Sequence, residues 1–198
     1  STSLPAIRSK IKHTGKYYSP NDYIASQSLS RKPIKFTIPG PLTIMDTTAD
    51  CYYNDRKKLS NDLADTINQE IRHLVERGCS HIQIDEPLFA RQVDDAFSFG
   101  FEGIERCLYK VPKDINKIIH ICCGYTDHLD DENYKKADPK SYFKLSNELN
   151  NMSINQISIE DAHFKNDLNL LTKFSNKKII FGAINVTKSR LESIDEIV

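Results

Sequence analysis

The chain has 198 residues, of which 39 % are hydrophobic, and its 27 lysines and arginines equal its 27 aspartates and glutamates. This length predicts a single domain over residues 1–198, and the balanced charge excludes the usual signature of a protein that binds nucleic acid or an anionic membrane. A small polar molecule is therefore the expected partner. The chain has no apolar stretch of about 18 residues and no signal-peptide pattern, which predicts a cytoplasmic protein.

Five β-rich runs lie along the chain, and each is a predicted strand: IKFTI (34–38), HIQID (81–85), KIIHICC (117–123), INQISIE (154–160) and KIIFGAI (178–184). A further strand is predicted around PAIRSKI (5–11). Most runs are rich in isoleucine and show little strict alternation. This pattern indicates a mainly parallel sheet that is covered on both faces.

Helical patterns separate most of these strands. The clearest has apolar side chains on one stripe with a 3.6-residue period, at Leu59, Leu63, Ile67, Ile71, Leu74 and Val75. Ser60 or Asn61 is its predicted N-cap, and Gly78 its predicted stop. Further helices are predicted at 94–110, 139–150 and 166–175. The fold class is therefore α/β.

Unusual turns and polar residues follow each predicted strand, as PGP (39–41), DEP (85–87), CCGY (122–125), EDAH (160–163) and NVTKS (185–189). Parallel α/β folds carry their sites at the carboxyl ends of the strands. These segments therefore predict one functional rim. The PGP turn fixes the backbone around Gly40 and indicates a ligand close above it.

The stretch IIHICCGY places a histidine and two cysteines at the end of an apolar run. Because side chains alternate along a strand, His120 and Cys122 face one way and Cys123 faces the other. Imidazole nitrogen and thiolate sulfur are ligands that zinc favours. On this motif alone, a buried strand that carries these side chains as core residues stays an open alternative.

Acidic residues end two other strands. Glu160 ends INQISIE at the depth of the H-x-C motif, which makes it a candidate third zinc ligand; a solvated strand end or a helix cap is the alternative. In HIQIDEP, Gln83 and Asp85 share one face. An acidic group at this rim can bind an ammonium or act as a base, while a structural salt bridge is the alternative.

Five motifs together resemble the C-terminal catalytic barrel of cobalamin-independent methionine synthase, the 5-methyltetrahydropteroyltriglutamate–homocysteine methyltransferase family. They are KPIKFTIPGPLTI (32–44), HIQIDEPLF (81–89), IIHICCGY (118–125), INQISIED (154–161) and KSRLESIDEI (188–197). The resemblance implies a (β/α)8 TIM-barrel fold, truncated here to about strands two to seven. It also implies zinc as the cofactor, with His120, Cys122 and Glu160 as ligands.

The implied activity is methyl transfer to a thiol, most specifically homocysteine, which gives methionine. Asp85 would bind the amino group of homocysteine, next to Gln83 as a second substrate-binding residue, and Asp85 and Glu160 are the expected catalytic residues. The family's GSFP strand and its further cysteine on strand eight have no counterpart in this sequence. The chain is therefore expected to be a fragment, one zinc ligand short, and Cys123 faces away from the place of that ligand.

The methyl donor is expected to be a methyl-corrinoid rather than methyltetrahydrofolate. The folate-using enzymes of the family carry a tryptophan and a proton-donating histidine where this chain has Thr47 and Thr187, and the chain has 0 tryptophans. His128 or His163 is an alternative source of that proton, but each is expected to be an ordinary surface histidine.

Two alternative functions stay open. Coenzyme M methyltransferases of the uroporphyrinogen-decarboxylase-like group also carry an H-x-C-G type zinc motif, with which HICCG is compatible. The other alternative is a non-catalytic barrel fragment.

The unpaired edges of an unclosed barrel favour pairing between copies, so a homo-oligomer is an expected state.

Overall fold

The five predicted strands form one parallel sheet in the computed structural model, which describes residues 4–124, 126–131, 133–138, 140–163 and 165–197. The strands of this sheet are β2 (Lys35–Pro39), β4 (His81–Asp85), β5 (Asn116–Ile121), β6 (Gln156–Glu160) and β7 (Lys178–Gly182), and this is also their order across it. The strand expected around PAIRSKI is shorter, at Ala6–Ile7 (β1). It pairs with β3 (Ala49–Asp50) and not with the main sheet.

The two faces of the sheet differ in chemistry. One face carries isoleucines such as Ile84, Ile119 and Ile157, which are buried in the hydrophobic core together with the helices. The other face, here called the inner face, carries Gln83 and His120 among other polar side chains. The expectation that both faces are covered holds for the isoleucine face but only in part for the inner face, where Gln83 is buried but Ile180 keeps 39 % of its surface exposed.

Helices separate most of the strands, as predicted, and several further short helices are present. They are α1 (Ser19–Ser28), α2 (Pro41–Asp46), α3 (Arg56–Glu76), α4 (Leu88–Arg91), α5 (Val93–Asp95), α6 (Phe101–Cys107), α7 (Ser141–Asn151) and α8 (Ile194–Ile197). The helix predicted at 94–110 is divided among α5, a π-helical turn (Ala96–Gly100) and α6. The segment 166–175 forms a 3-10 helix (Leu168–Lys173), whose start is capped by the Asp167 carboxylate. Within the described ranges, no helix is both long and apolar enough to cross a membrane.

Helix α3 confirms the apolar stripe but corrects its predicted start. The side chain of Asp55 accepts a hydrogen bond from the backbone N–H of Lys58, so Asp55 is the N-cap, rather than Ser60 or Asn61. The first turn of α3 is charged, so the pattern of apolar residues did not reveal where the helix begins. The predicted stop is correct, since Gly78 has a φ of 92° just past the last turn.

Candidate active site and metal centre

The strand register brings the predicted site residues to the carboxyl edge of the inner face. Asp85 of β4 pairs with His120 of β5, and His120 pairs with Ser158 of β6. Glu160 lies two residues beyond Ser158 within β6, so it continues the same face by one step, while Cys122 follows directly after Ile121, the last residue of β5. The register of the three adjacent strands therefore agrees with the predicted common face of Asp85, His120 and Glu160.

His120 is held by a neighbour on the next strand. Its Nδ1 lies 3.0 Å from the Ser158 hydroxyl, and its ring is half-buried. Burial lowers the pKa of His120, and the charge of Lys35 lowers it further, while the carboxylates of Asp85 and Glu160 raise it. A neutral imidazole with Nδ1 fixed by a hydroxyl leaves Nε2 as the nitrogen that can bind a metal.

Glu160 has one oxygen that is paired and one that is not. Oε2 accepts a hydrogen bond from the backbone N–H of Cys123 at 2.9 Å. Oε1 is buried and has no hydrogen-bond partner among the described residues, although Nε2 of His163 lies 4.0 Å away. A buried carboxylate oxygen without a partner is costly, which is the situation expected where a cation binds.

The two adjacent cysteines have different surroundings. Both are buried, and burial is the largest cause that raises the pKa of each thiol. The charges of Glu160 and Asp85 raise the pKa of Cys122 further, so this thiol needs a cation to become a thiolate at neutral pH. The Cys123 thiol donates a hydrogen bond to the Tyr142 hydroxyl in the core, which agrees with its predicted core position.

The donor types fit zinc, but they are not gathered into a coordination shell. In the part of the chain that the structure describes, no three His, Cys, Asp or Glu side chains are arranged so that they could together hold a metal ion. His120 offers a nitrogen, Cys122 a sulfur and Glu160 an unpartnered oxygen, and zinc binds all three kinds of atom. The chemistry of the set therefore suits zinc, and binding would require the side chains to close around it.

Hydrogen bonds connect Asp85 to Gln83 and Gln83 to Lys35. Gln83 donates from Nε2 to Oδ1 of Asp85 at 2.7 Å, and Lys35 donates from Nζ to Oε1 of Gln83 at 2.5 Å. Both polar groups of Gln83 are therefore engaged by protein side chains. Lys35 was not among the site residues predicted from the sequence, although its inner-face parity on β2 was a usable signal.

Glu86 is a buried acid that was not among the site residues predicted from the sequence. It is fully buried and accepts hydrogen bonds from the backbone N–H of Leu42 and from both the backbone N–H and the hydroxyl of Thr43, at 2.7–2.9 Å. A Cβ on Gly40 would lie 2.2 Å from Oε2 of Glu86. The PGP turn thus fits closely over this carboxylate, which lies where the sequence suggested a ligand.

The stability of the protein is expected to fall with rising pH because of Glu86. Burial is the main cause that raises the pKa of its carboxyl from 4.5 to about 7, against the hydrogen bonds from Thr43 and Leu42. Because the folded pKa lies above the unfolded one, the stabilisation is complete below about pH 4.5 and is lost as the pH rises through about 7, a change of about 3 kcal/mol.

The measurement is the free energy of unfolding of the protein and of its Glu86→Gln variant from pH 4 to pH 8. The glutamine does not titrate, so the difference between the two proteins should move in favour of the variant by about 3 kcal/mol over this range. A difference that stays constant with pH would show that the hydrogen bonds, and not burial, decide the protonation of Glu86.

Tyr142 joins the ends of β5 and β6. Its hydroxyl donates to the carbonyl oxygen of Ile121 at 2.7 Å and accepts from the backbone N–H of Glu160 at 3.2 Å. The side chain is 1 % exposed. This contact lies directly between the strand ends that carry Cys122 and Glu160.

Removing this hydroxyl in Tyr142→Phe is expected to destabilise the fold by about 1–3 kcal/mol, since two buried backbone groups lose a partner. Denaturant unfolding measures the loss. The matched control is Tyr52→Phe, because Tyr52 is exposed. Equal stability of the two variants would contradict the bridging role.

The structure also locates the residues from which a methyl donor was inferred. Thr47 is exposed at the end of α2, and its hydroxyl donates to carbonyl oxygens of its own helix. Thr187 is buried, and its hydroxyl lies 2.9 Å from Nδ1 of His163. His128 is exposed as expected. His163 is not an ordinary surface histidine, because only 6 % of its side chain is exposed.

Residues 11–198 match a family profile described as the catalytic domain of cobalamin-independent synthase. The chain belongs to the cobalamin-independent methionine synthase family. The resemblance drawn from the five sequence motifs is thereby confirmed. The family description also runs against the methyl-corrinoid donor expected from the sequence, because such a donor is a cobalamin derivative.

Relatives that carry the name methionine synthase match most of this chain but only part of their own length. The protein from Pyrococcus abyssi is 28 % identical over 173 residues, which are 87 % of this chain and 46 % of that protein. The protein from Saccharolobus islandicus is 32 % identical over 166 residues, which are 83 % of this chain and 44 % of that protein. The chain thus spans about half the length of the methionine synthases it matches.

Solved structures of the family share the fold. A B12-independent methionine synthase from a Shewanella species, in complex with selenomethionine, superimposes with a TM-score of 0.86 at 27 % identity, over 99 % of this chain and 57 % of that one. A Listeria monocytogenes structure has a TM-score of 0.67 at 18 % identity, over 95 % of this chain and 58 % of that one. The predicted (β/α)-barrel type of fold is confirmed over the part of the Shewanella structure that this chain covers.

Proposed function

We propose that this chain carries the thiol-methylating site of a methionine synthase and transfers a methyl group to homocysteine. The observation that carries the proposal is the set of Asp85, His120 and Glu160 on three adjacent strand ends, with a buried Glu160 oxygen that lacks a partner among the described residues. Membership of the family supports it, as does the selenomethionine in the Shewanella relative, since selenomethionine is an analogue of the product.

His120, Cys122 and Glu160 are the residues that would hold zinc. Zinc, when bound, makes a coordinated thiol ionise, whereas a free thiol with a pKa of about 8.5 is mostly protonated at neutral pH. The chain's own contribution is to orient the ligands. Ser158 fixes the His120 ring through Nδ1, and the backbone N–H of Cys123 fixes the Glu160 carboxylate.

Asp85 would bind the amino group of homocysteine. Its carboxylate lies on the inner face beside His120, so a substrate held by its amino group at Asp85 would direct its thiol toward His120 and Cys122. Holding the thiol in line with the methyl donor would supply most of the rate acceleration, because orientation alone can be worth several kcal/mol, about 7 or more in favourable cases.

A methyl-corrinoid is not part of this proposal, since the family is described as cobalamin-independent. We propose methyltetrahydrofolate, the other donor considered from the sequence. The folate-using enzymes carry a proton-donating histidine where this chain has Thr187. The buried imidazole of His163 lies beside Thr187 and would take the place of that proton donor, which supports this choice. The cytoplasmic location and the self-association inferred from the sequence stay predictions.

The test is methyl transfer by the zinc-loaded full chain to homocysteine or coenzyme M, with methyltetrahydrofolate or methylcobalamin as the donor. The proposal predicts methionine from homocysteine and methyltetrahydrofolate. Transfer to coenzyme M alone would favour the coenzyme M methyltransferases, and no transfer to either thiol would favour a non-catalytic fragment.

A further inference from the structure

Lys35, Gln83 and Asp85 form a hydrogen-bonded chain across two adjacent strands. Thr37 of β2 pairs with Gln83 of β4, so Lys35 lies one inner-face step below Gln83 and Asp85 lies one step above it. The Lys35 ammonium donates to the Gln83 carbonyl at 2.5 Å, and the Gln83 amide donates to Asp85 at 2.7 Å. Gln83 is 8 % exposed, which holds its side chain in place between the two.

The charges at the two ends fix which way the Gln83 amide points. A lysine ammonium can only donate hydrogen bonds, and an ionised aspartate can only accept them. The amide therefore satisfies both neighbours in one orientation, with its oxygen toward Lys35 and its NH₂ toward Asp85. Without the ammonium, the Gln83 carbonyl oxygen loses its hydrogen-bond partner, and the Gln83 side chain is held by its contact with Asp85 alone.

The chain of contacts also determines which part of Asp85 is left for a ligand. Oδ1 of Asp85 accepts the Gln83 hydrogen bond, and Oδ2 has no hydrogen bond within the described residues. Asp85 is partly exposed on the inner face. The free oxygen can therefore accept a hydrogen bond from an ammonium group that enters from the open side of the sheet.

We propose that Lys35 is a positioning residue that acts through Gln83 to orient Asp85 for the amino group of the substrate. This inference rests on the proposed function, in which Asp85 binds the amino group of homocysteine. Lys35 itself makes no contact with the substrate in this account. Its contribution is to keep the Gln83 amide and the Asp85 carboxylate in one arrangement before the substrate arrives.

The test compares the full zinc-loaded protein with its Lys35→Met variant on two thiols, homocysteine and 4-mercaptobutyrate, which lacks the amino group. The variant should raise KM for homocysteine about tenfold with kcat changed by less than about twofold, and leave KM for 4-mercaptobutyrate unchanged. Lys178→Met is the matched control, because Lys178 is an exposed lysine at an inner-face position of β7, and it should change neither value.

An unchanged KM for homocysteine, or an equal change for both thiols, would overturn the inference. The resonance of the Gln83 side-chain amide provides a second measurement that does not need activity. If the wild-type protein methylates no thiol, the proposed function fails. A shift of this resonance in Lys35→Met but not in Lys178→Met would still support the orienting contact, and an unshifted resonance would overturn it.

Discussion

Zinc binding is expected to be lost when Cys122 is replaced by serine or His120 by alanine. Each change removes one of the three donors that this chain offers, and neither serine nor alanine supplies a comparable ligand. Even the loss of a residue that only orients a ligand costs about 10–100-fold in metal affinity, so the loss of a ligand itself should cost more than about 100-fold. Competition with a chromophoric chelator measures the affinity.

The matched controls are Cys51→Ser and His128→Ala, because both residues are exposed. These variants should bind zinc as the wild-type protein does. If Cys122→Ser and His120→Ala bind zinc as tightly as the two controls, then the cysteine and the histidine at the end of β5 are not ligands, and the metal centre proposed above is wrong.

Replacing Gly40 by alanine is expected to have the largest effect on stability, a loss of about 3 kcal/mol or more. The added methyl group would lie 2.2 Å from Oε2 and 2.7 Å from Cδ of Glu86, and this side chain is fully buried, so it has no space to retreat. The backbone of Gly40 is not the reason, because its φ of −77° and ψ of 166° are open to any residue.

Denaturant unfolding of four proteins tests this contact: the wild type, Gly40→Ala, Glu86→Ala and the double variant. Gly40→Ala should cost much less in the absence of Glu86, because the clash is then removed. Gly103→Ala is the matched control, since its Cβ would lie 3.1 Å from the Ser60 hydroxyl, an adjustable group. A cost of Gly40→Ala that is the same with and without Glu86 would contradict the packing described here.

The candidate site could be located from the sequence because strand geometry is regular. The two-residue period predicted one face for His120 and Glu160, and the register of β5 and β6 agrees; Cys123 packs in the core, as its opposite parity predicted. The stripe of α3 was equally regular. These features depend on local periodicity, which a single sequence displays.

The contacts that support the site could not be found in the same way. Glu86 meets Gly40 across 46 positions of sequence, and no local pattern shows that one will close over the other. Lys35 reaches Gln83 because its long side chain extends along the inner face of the sheet, a matter of rotamer and register. Such contacts become visible only when the strands are placed side by side.

The proposed zinc ion, held by His120, Cys122 and Glu160, should ionise the thiol of the bound substrate. The measurement is a titration of the zinc-loaded chain with homocysteine at pH 7 in weak buffer. About one proton should be released for each homocysteine bound, and none from Cys122→Ser or from metal-free protein. Binding of homocysteine to the zinc-loaded wild-type protein without proton release would contradict it.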